Sequence, residues 1–295
     1  MELIKALPEI FEDFAEQRKK SFLTMKELKD RDVPVVGAYC TYFPQEIAMA
    51  MGAVTVGLCS TSDETIPVAE KDLPRNLCPM VKASYGFAVS DKCPFFYFSD
   101  VVVGETTCDG KKKMYELMGE FKNVYVMELP NSQSETALKL WKEEILKFKS
   151  YLEQTFKVEI TEENVRKAVH MMNENRIALK NLYEVMKNDP APMNGQELFN
   201  VLYGSQFRFD KEKVPEEIHA LRENVAVHVA CRLWLRRRGL CRDSAAGMMR
   251  RGWRKGLLGM AYTCKQSSSG LMAYCENSLH ERVCWSLPVK LPSPV

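Results

Sequence analysis

"DVVVGETTCDGKKKMYELMGE", residues 100–120, decides how this chain folds. Three valines between Asp100 and Gly104 read as a short buried strand, and residues 111–120 read as a helix. A glycine-flanked turn carrying Cys108 joins them. A strand that runs directly into a helix is the repeating unit of a parallel sheet. The stretch also comes close to a phosphate loop, which needs Gly, four residues, then Gly-Lys-Ser/Thr. Five residues separate Gly104 from Gly110, and Lys112 stands where the magnesium-binding hydroxyl belongs, so no ATP site is expected here. The cysteine needs another explanation.

Outward from this turn the same alternation continues. Residues 33–39, 53–58 and 124–127 read as short apolar strands, and residues 44–51 and 79–89 as helices that open on proline. The expectation is an α/β fold: a parallel, Rossmann-like sheet flanked by helices. Residues 1–30 read as an amphipathic helix rather than a signal peptide, because acids interrupt its apolar residues and no small-residue cleavage site follows. No run of 18 apolar residues occurs, so no membrane partner is expected and the expected location is the cytoplasm.

From about 134 the pattern becomes helical. SETALKLWKEEILKFKSYLEQTF is strongly periodic, and the next helix opens at Thr161. After about Val225 no sustained period is read. The net charge of +2 hides a step at the same place: residues 225–295 hold 12 Lys+Arg and 3 Asp+Glu, against 41 and 39 in the whole chain of 295. The organisation expected is an α/β cysteine-bearing part with its N-terminal helix (1–133), a helical section (134–224) and a basic aperiodic tail (225–295). Text rich in Arg, Cys, Ser and Trp without period suits translation in a shifted frame. A basic nucleic-acid arm is the competing reading, and a nucleic-acid partner is not expected on the first.

Ten cysteines fall into two sets of five. Those of the tail have no motif spacing. Cys40 and Cys59 each close an expected strand, Cys78 precedes a helix, Cys93 lies between expected elements, and Cys108 joins strand to helix. Loops after the strands of an open parallel sheet gather at one edge, where ligands bind, so thiols far apart in sequence can converge there. Zinc sites usually show a C-x₂₋₄-C pair, and none occurs here. Thiolates without histidines suit an iron–sulfur cluster, with helix N-termini and the lysines at 111–113 (Lys111 and Lys113 above all) offsetting its negative charge. Buried, inert thiols are the plain alternative.

The strings YCTYFPQEIAMAMGAVTVGLCSTSDET (39–65) and LPRNLCPMVKASYGFAVSDKCPFFYFSDVVVGETTCDGKKKMYELM (73–118) carry a resemblance. Over about residues 1–224 the chain resembles the D-component family of 2-hydroxyacyl-CoA dehydratases, in particular its double-cubane-cluster anaerobic reductase branch. The resemblance implies a 4Fe–4S or double-cubane cluster, with Cys78 and Cys108 as ligands and Cys40 and Cys93 as extra cysteines of that branch. It implies low-potential reduction or dehydration of an acyl-CoA. The partners implied are an ATP-hydrolysing iron–sulfur activator, in keeping with the missing phosphate loop, and a homodimeric or heterodimeric assembly. Glu46, in FPQE, and Glu105 are candidate catalytic, proton-handling residues; solvated or capping acids are their other reading. In the family a second α/β domain follows, and here the tail stands in its place. The alternatives are a shortened, non-catalytic family member with little or no cluster, and a protein with a basic nucleic-acid-binding tail.

Overall fold

The structure, a computed structural model, describes residues 2–237 apart from 41, 61 and 190. Four strands, β1 (Val35–Ala38), β2 (Val54–Gly57), β3 (Val101–Glu105) and β4 (Val124–Met127), form one parallel sheet in the order β2-β1-β3-β4. Every adjacent pair is parallel, with Val36 opposite Thr55 and Val101, and Gly104 opposite Val126. The α/β expectation holds.

The strands read as apolar runs because both faces of the sheet are covered. Alternate residues of β1 and β3 feed two cores. Val35, Tyr39 and Val102 face a core completed by α4 (Pro79–Val89), α5 (Pro94–Phe98) and α6 (Asp109–Met118). Val36, Ala38, Val101 and Val103 face the other, completed by α2 (Gln45–Met49), α7 (Glu135–Phe156) and α8 (Glu162–Glu184). A third cluster joins the long first helix α1 (Glu2–Asp30) to α8, α9 (Gly195–Gly204) and α10 (Val214–Arg237), through Phe14, Leu182, Val201 and Ile218.

Two short helices escaped the sequence reading, α3 (Ile66–Ala69) and α5. Each is only about one turn long, too short to show a 3.6-residue period. The reading of no sustained period after Val225 is corrected over residues 225–237, because α10 continues to Arg237. Its first half shows why it forms: Val214, Ile218, Leu221 and Val225 recur at helical spacing and are buried. Val229 and Leu233 continue the same spacing past Val225, a signal the sequence reading passed over. The rest of the tail lies outside the described residues. Among the described residues, no helix is long and apolar enough to cross a membrane.

The two ends of the sheet differ. At the amino end Asp100 accepts the Val35 backbone N–H at 2.8 Å and an ion pair from Lys29 at 2.8 Å, which closes that edge. At the carboxyl end the chain departs from β1 and β3 in opposite directions, towards β2 and β4. This is the topological switch point, where doubly wound sheets bind ligands.

Candidate functional site

Cys40 follows β1 directly, and Cys108 is the N-cap of the helix that follows β3. Both therefore stand at the switch point. Cys59 lies two residues beyond β2, and Cys78 is the N-cap of α4. Hydrogen bonds fix these loops. The Ser60 backbone N–H donates to Ser84 Oγ at 3.1 Å, tying the Cys59 loop to α4. The buried Lys82 donates to Glu70 Oε1 at 2.8 Å and to the Arg75 carbonyl at 2.6 Å, which holds the segment before Cys78 on the same helix. Thr106 Oγ1 accepts the Leu129 N–H at 2.8 Å and steadies the start of the Cys108 loop.

Two contacts link the loops of Cys40, Cys78 and Cys108, and a third sets Lys111 against Cys40. Cys40 Sγ lies 4.0 Å from Thr107 Oγ1, one residue before Cys108. A Cβ on Gly110 would stand 2.8 Å from Leu77 Cδ1, so the loop before Cys78 lies against the start of α6. Lys111, only 8% exposed, donates to Cys40 Sγ. Burial pulls the Lys111 ammonium down, but that hydrogen bond and the charges of Cys40, Cys59 and Cys108 more than offset it and hold Lys111 above the ordinary lysine value. Cys40 itself adopts φ 80°. A non-glycine residue held there stores on the order of 1–3 kcal/mol, a kind of strain found disproportionately at functional sites.

The remaining predicted residues are placed as follows. Cys93 is buried and caps α5, which leads to the amino end of β3, and its sulfur accepts the Phe96 N–H at 3.4 Å. Burial pushes its thiol pKa up. Glu105 is fully buried on the face opposite α6, where its Oε1 accepts the Phe43 N–H at 2.5 Å. Glu46 pairs with Arg176, joining α2 to α8. Lys113 lies on the outward side of α6, paired with Glu116 at 2.9 Å, and Lys112 pairs with Asp109. Of the three lysines, only Lys111 meets a thiol.

One residue was missed. Tyr115 on α6 is 1% exposed, and its ring lies over the β3 backbone at Gly104, where a Cβ would stand 2.6 Å from ring carbons. Its hydroxyl is enclosed, with the Glu105 backbone N–H beside it. The only cue in the sequence is Gly104 itself, since a glycine inside a strand often marks a close approach.

Whether this corner suits an iron–sulfur cluster is a question of kind and number. In kind it fits: exposed thiols begin two helices, and a buried cation faces a third, Cys40. In number the set is partial. Among the described residues, no three His, Cys, Asp or Glu side chains stand close enough together to hold one ion.

A doubly wound sheet with thiols at its switch point defines a class: an α/β protein with a sulfur-lined carboxyl edge. The 2-hydroxyglutaryl-CoA dehydratase D-component family matches residues 40–236, and the chain belongs to this family. The match runs past residue 224, where the sequence reading ended the resemblance, and closes within α10. The chain is 55% identical over 226 residues to the "Putative dehydratase subunit YjiM" of Escherichia coli K12, which covers 76% of this chain. It is 23% identical over 223 residues, or 73% of this chain, to the (R)-phenyllactyl-CoA dehydratase beta subunit of Clostridium sporogenes. The chain spans 59% and 57% of the lengths of these two relatives.

Proposed function

We propose that this chain is the thiolate-bearing part of an iron–sulfur component that acts on a 2-hydroxyacyl-CoA or performs a related low-potential reduction. The observation that supports the reading is the placing of Cys40 and Cys108 after β1 and β3 at the switch point, with Lys111 turned onto Cys40. Cys78 and Cys108 are the primary ligands, and their side chains take no part in capping their helices. Cys40 stands beside them as a further ligand. A bound cluster would supply one-electron transfer. The chain's own part is to hold the sulfurs, to offset their charge through Lys111 and the helix N-termini, and to keep the sheet side of the corner dry. Since no three donors converge among the described residues, the remaining ligands come from elsewhere in a complete component or from a partner subunit. An ATP-hydrolysing iron–sulfur activator is the proposed electron donor, because the loop after β3 lacks phosphate-loop spacing.

The same partial donor set favours one other reading, a family member that binds little or no cluster and is not catalytic. Anaerobic reconstitution with iron and sulfide separates the two. The first reading expects bound iron and sulfide with broad sulfur-to-iron absorbance that air abolishes. Metal content no higher than that of a variant with Cys40, Cys59, Cys78 and Cys108 all replaced by Ser would overturn it.

A further inference from the structure

We infer that β4 is a docking edge for a second copy of this chain: two β4 strands pair antiparallel about a two-fold axis at Tyr125 and join two sheets into one. The inference stands on the sheet alone and does not rest on the function proposed above.

The register decides which backbone groups are spare. The Val102 and Thr106 N–H groups donate to the carbonyls of Asn123 and Met127, and Val102 stands opposite Val124. In a parallel ladder the odd-numbered residues of β4 therefore direct their N–H and C=O groups to β3. Those of Val124 and Val126 point away from it, and β4 is last in the strand order among the described residues. The other edge is different. Beside β2, a Cβ on Gly57 would stand 4.0 Å from Gln206 Oε1, in the turn Ser205–Phe207. β4 also lacks what guards a bare edge. Its residues, VYVM, include no charge, proline or glycine, where edge strands usually carry such devices, and Val126 is 38% exposed.

Self-complementarity names the occupant. In an antiparallel pair centred on Tyr125, Val124 of each copy lies opposite Val126 of the other and exchanges two hydrogen bonds with it. Tyr125 meets its own copy in the close, non-hydrogen-bonded position, where aromatic pairs stabilise a ladder. The same register sets Lys122 of each copy opposite Glu128 of the other. Glu128 is exposed, and Lys122 is held beside the strand by the Tyr97 carbonyl, 3.0 Å away, and by the Phe96 ring. Burial lowers the Lys122 pKa, and a facing carboxylate offsets that cost. A slide of two residues either way breaks both charge pairs. The ladder ends at Glu128, whose N–H already donates to Glu144 Oε1 at 3.4 Å.

The experiment is sedimentation velocity of the full chain, kept reduced so that its thiols do not cross-link. A contact of one strand sits at the weak end of the interface range, so the titration runs from ~1 to ~200 µM. The parent should form a reversible dimer. Val126→Pro removes an outward N–H and no bond to β3, as proline on an edge strand can, and should leave a monomer. Glu128→Lys sets like charges opposite each other and should raise the dimer dissociation constant about tenfold. Adding Lys122→Glu to Glu128→Lys should restore the parent value. A parent that stays monomeric at the highest concentration overturns the inference. So does a dimer that neither Val126→Pro nor Glu128→Lys weakens. A double variant no tighter than Glu128→Lys alone also overturns it, because the two charges then do not face each other. Circular dichroism checks folding, and if Val126→Pro does not fold, the charge exchange decides. Iron content plays no part in these readings, so the proposed function stands or falls separately.

Discussion

Among the described residues three cysteines begin helices, and they have come to different uses. Cys93 opens α5, accepts the Phe96 N–H and sits in the core, where burial pushes its thiol pKa up. Cys78 and Cys108 open α4 and α6, are exposed, and cap nothing with their side chains. The local sequences barely differ, since Cys-Pro opens both α4 and α5. What differs is the end of the sheet each helix serves. The helix behind Cys93 leads to the amino edge, where Asp100 satisfies the Val35 N–H and Lys29. The other two stand at the carboxyl edge, where the buried Lys111 ammonium meets Cys40. A helix N-terminus favours a thiolate, but only where the sulfur is free to face a ligand.

Substitution at these cysteines tests the contrast most strongly. Cys78→Ser and Cys108→Ser should each remove most of the iron taken up on anaerobic reconstitution, while leaving thermal stability close to that of the parent. Cys93→Ala should do the reverse: iron content unchanged, and a loss of about 1–2 kcal/mol in urea denaturation, from the lost cap acceptor and a small cavity. Loss of iron in Cys93→Ala would place Cys93 among the ligands and erase the distinction.

Next in size is the backbone beneath the site. In Gly104→Ala the new Cβ would stand 2.6 Å from the Tyr115 ring, and crowding of this kind costs about 1–3 kcal/mol. Urea denaturation measures the loss. A neutral result would mean that the ring yields and does not hold its hydroxyl in place.

Two lysines, Lys111 buried and Lys211 half-buried, repeat the contrast of the cysteines. Lys111 has thiols to face and is held above the ordinary value. Lys211 donates only to the carbonyls of Ser205 and Gln206, and burial lowers its pKa to about 8. A lysine depressed in the folded state binds its proton less tightly there than in the unfolded chain. Between pH 8 and the ordinary lysine value of 10.5 the unfolded state holds more protons, so Lys211 makes stability rise with pH across that window. Comparing urea midpoints at several pH values in that window, the parent should gain relative to Lys211→Met as pH rises. A parallel dependence in the two proteins would remove Lys211 as the cause.

The smallest effect is expected at Lys113. Its exposed pair with Glu116 is of the kind that contributes little, and it faces away from the thiols. Lys113→Ala should leave both iron content and stability unchanged, whereas Lys111→Met should lower iron content. Equal behaviour of the two variants would show that α6 does not turn Lys111 alone towards the thiols.

Much of this was legible in the sequence because its signals are local. The strands appeared as apolar runs within one or two residues of their observed bounds, and Pro79–Val89 emerged whole because proline marks its first turn and apolar residues sustain it. The thiols at strand ends were visible for the same reason. Cys93 shows the limit. Its spacing and its proline resemble those of Cys78, and nothing nearby in sequence reveals that Phe96 and the core enclose it. The lysine run shows it again. Three identical residues in a row lie about 100° apart on a helix, and only the packing of α6 on the sheet chose Lys111 to face Cys40. α10 was lost past Val225 although Val229 and Leu233 keep its spacing, because the arginines among them read as a change of composition.

By itself, then, the sequence determined the alternation of strand and helix, the parallel sheet that this alternation requires, and the placing of cysteines where strands end and helices begin. These follow from residue type and spacing along the chain, which act over a few residues. Only the tertiary structure decided the strand order β2-β1-β3-β4, and with it the switch point that brings Cys40 beside Thr107 and Cys108. It alone turned Lys111 inward and Lys113 outward, sealed Cys93 in the core and trapped the Tyr115 hydroxyl against Gly104. Each of these is a contact across many residues of chain, set by which faces had to be buried together. No local pattern encodes that choice.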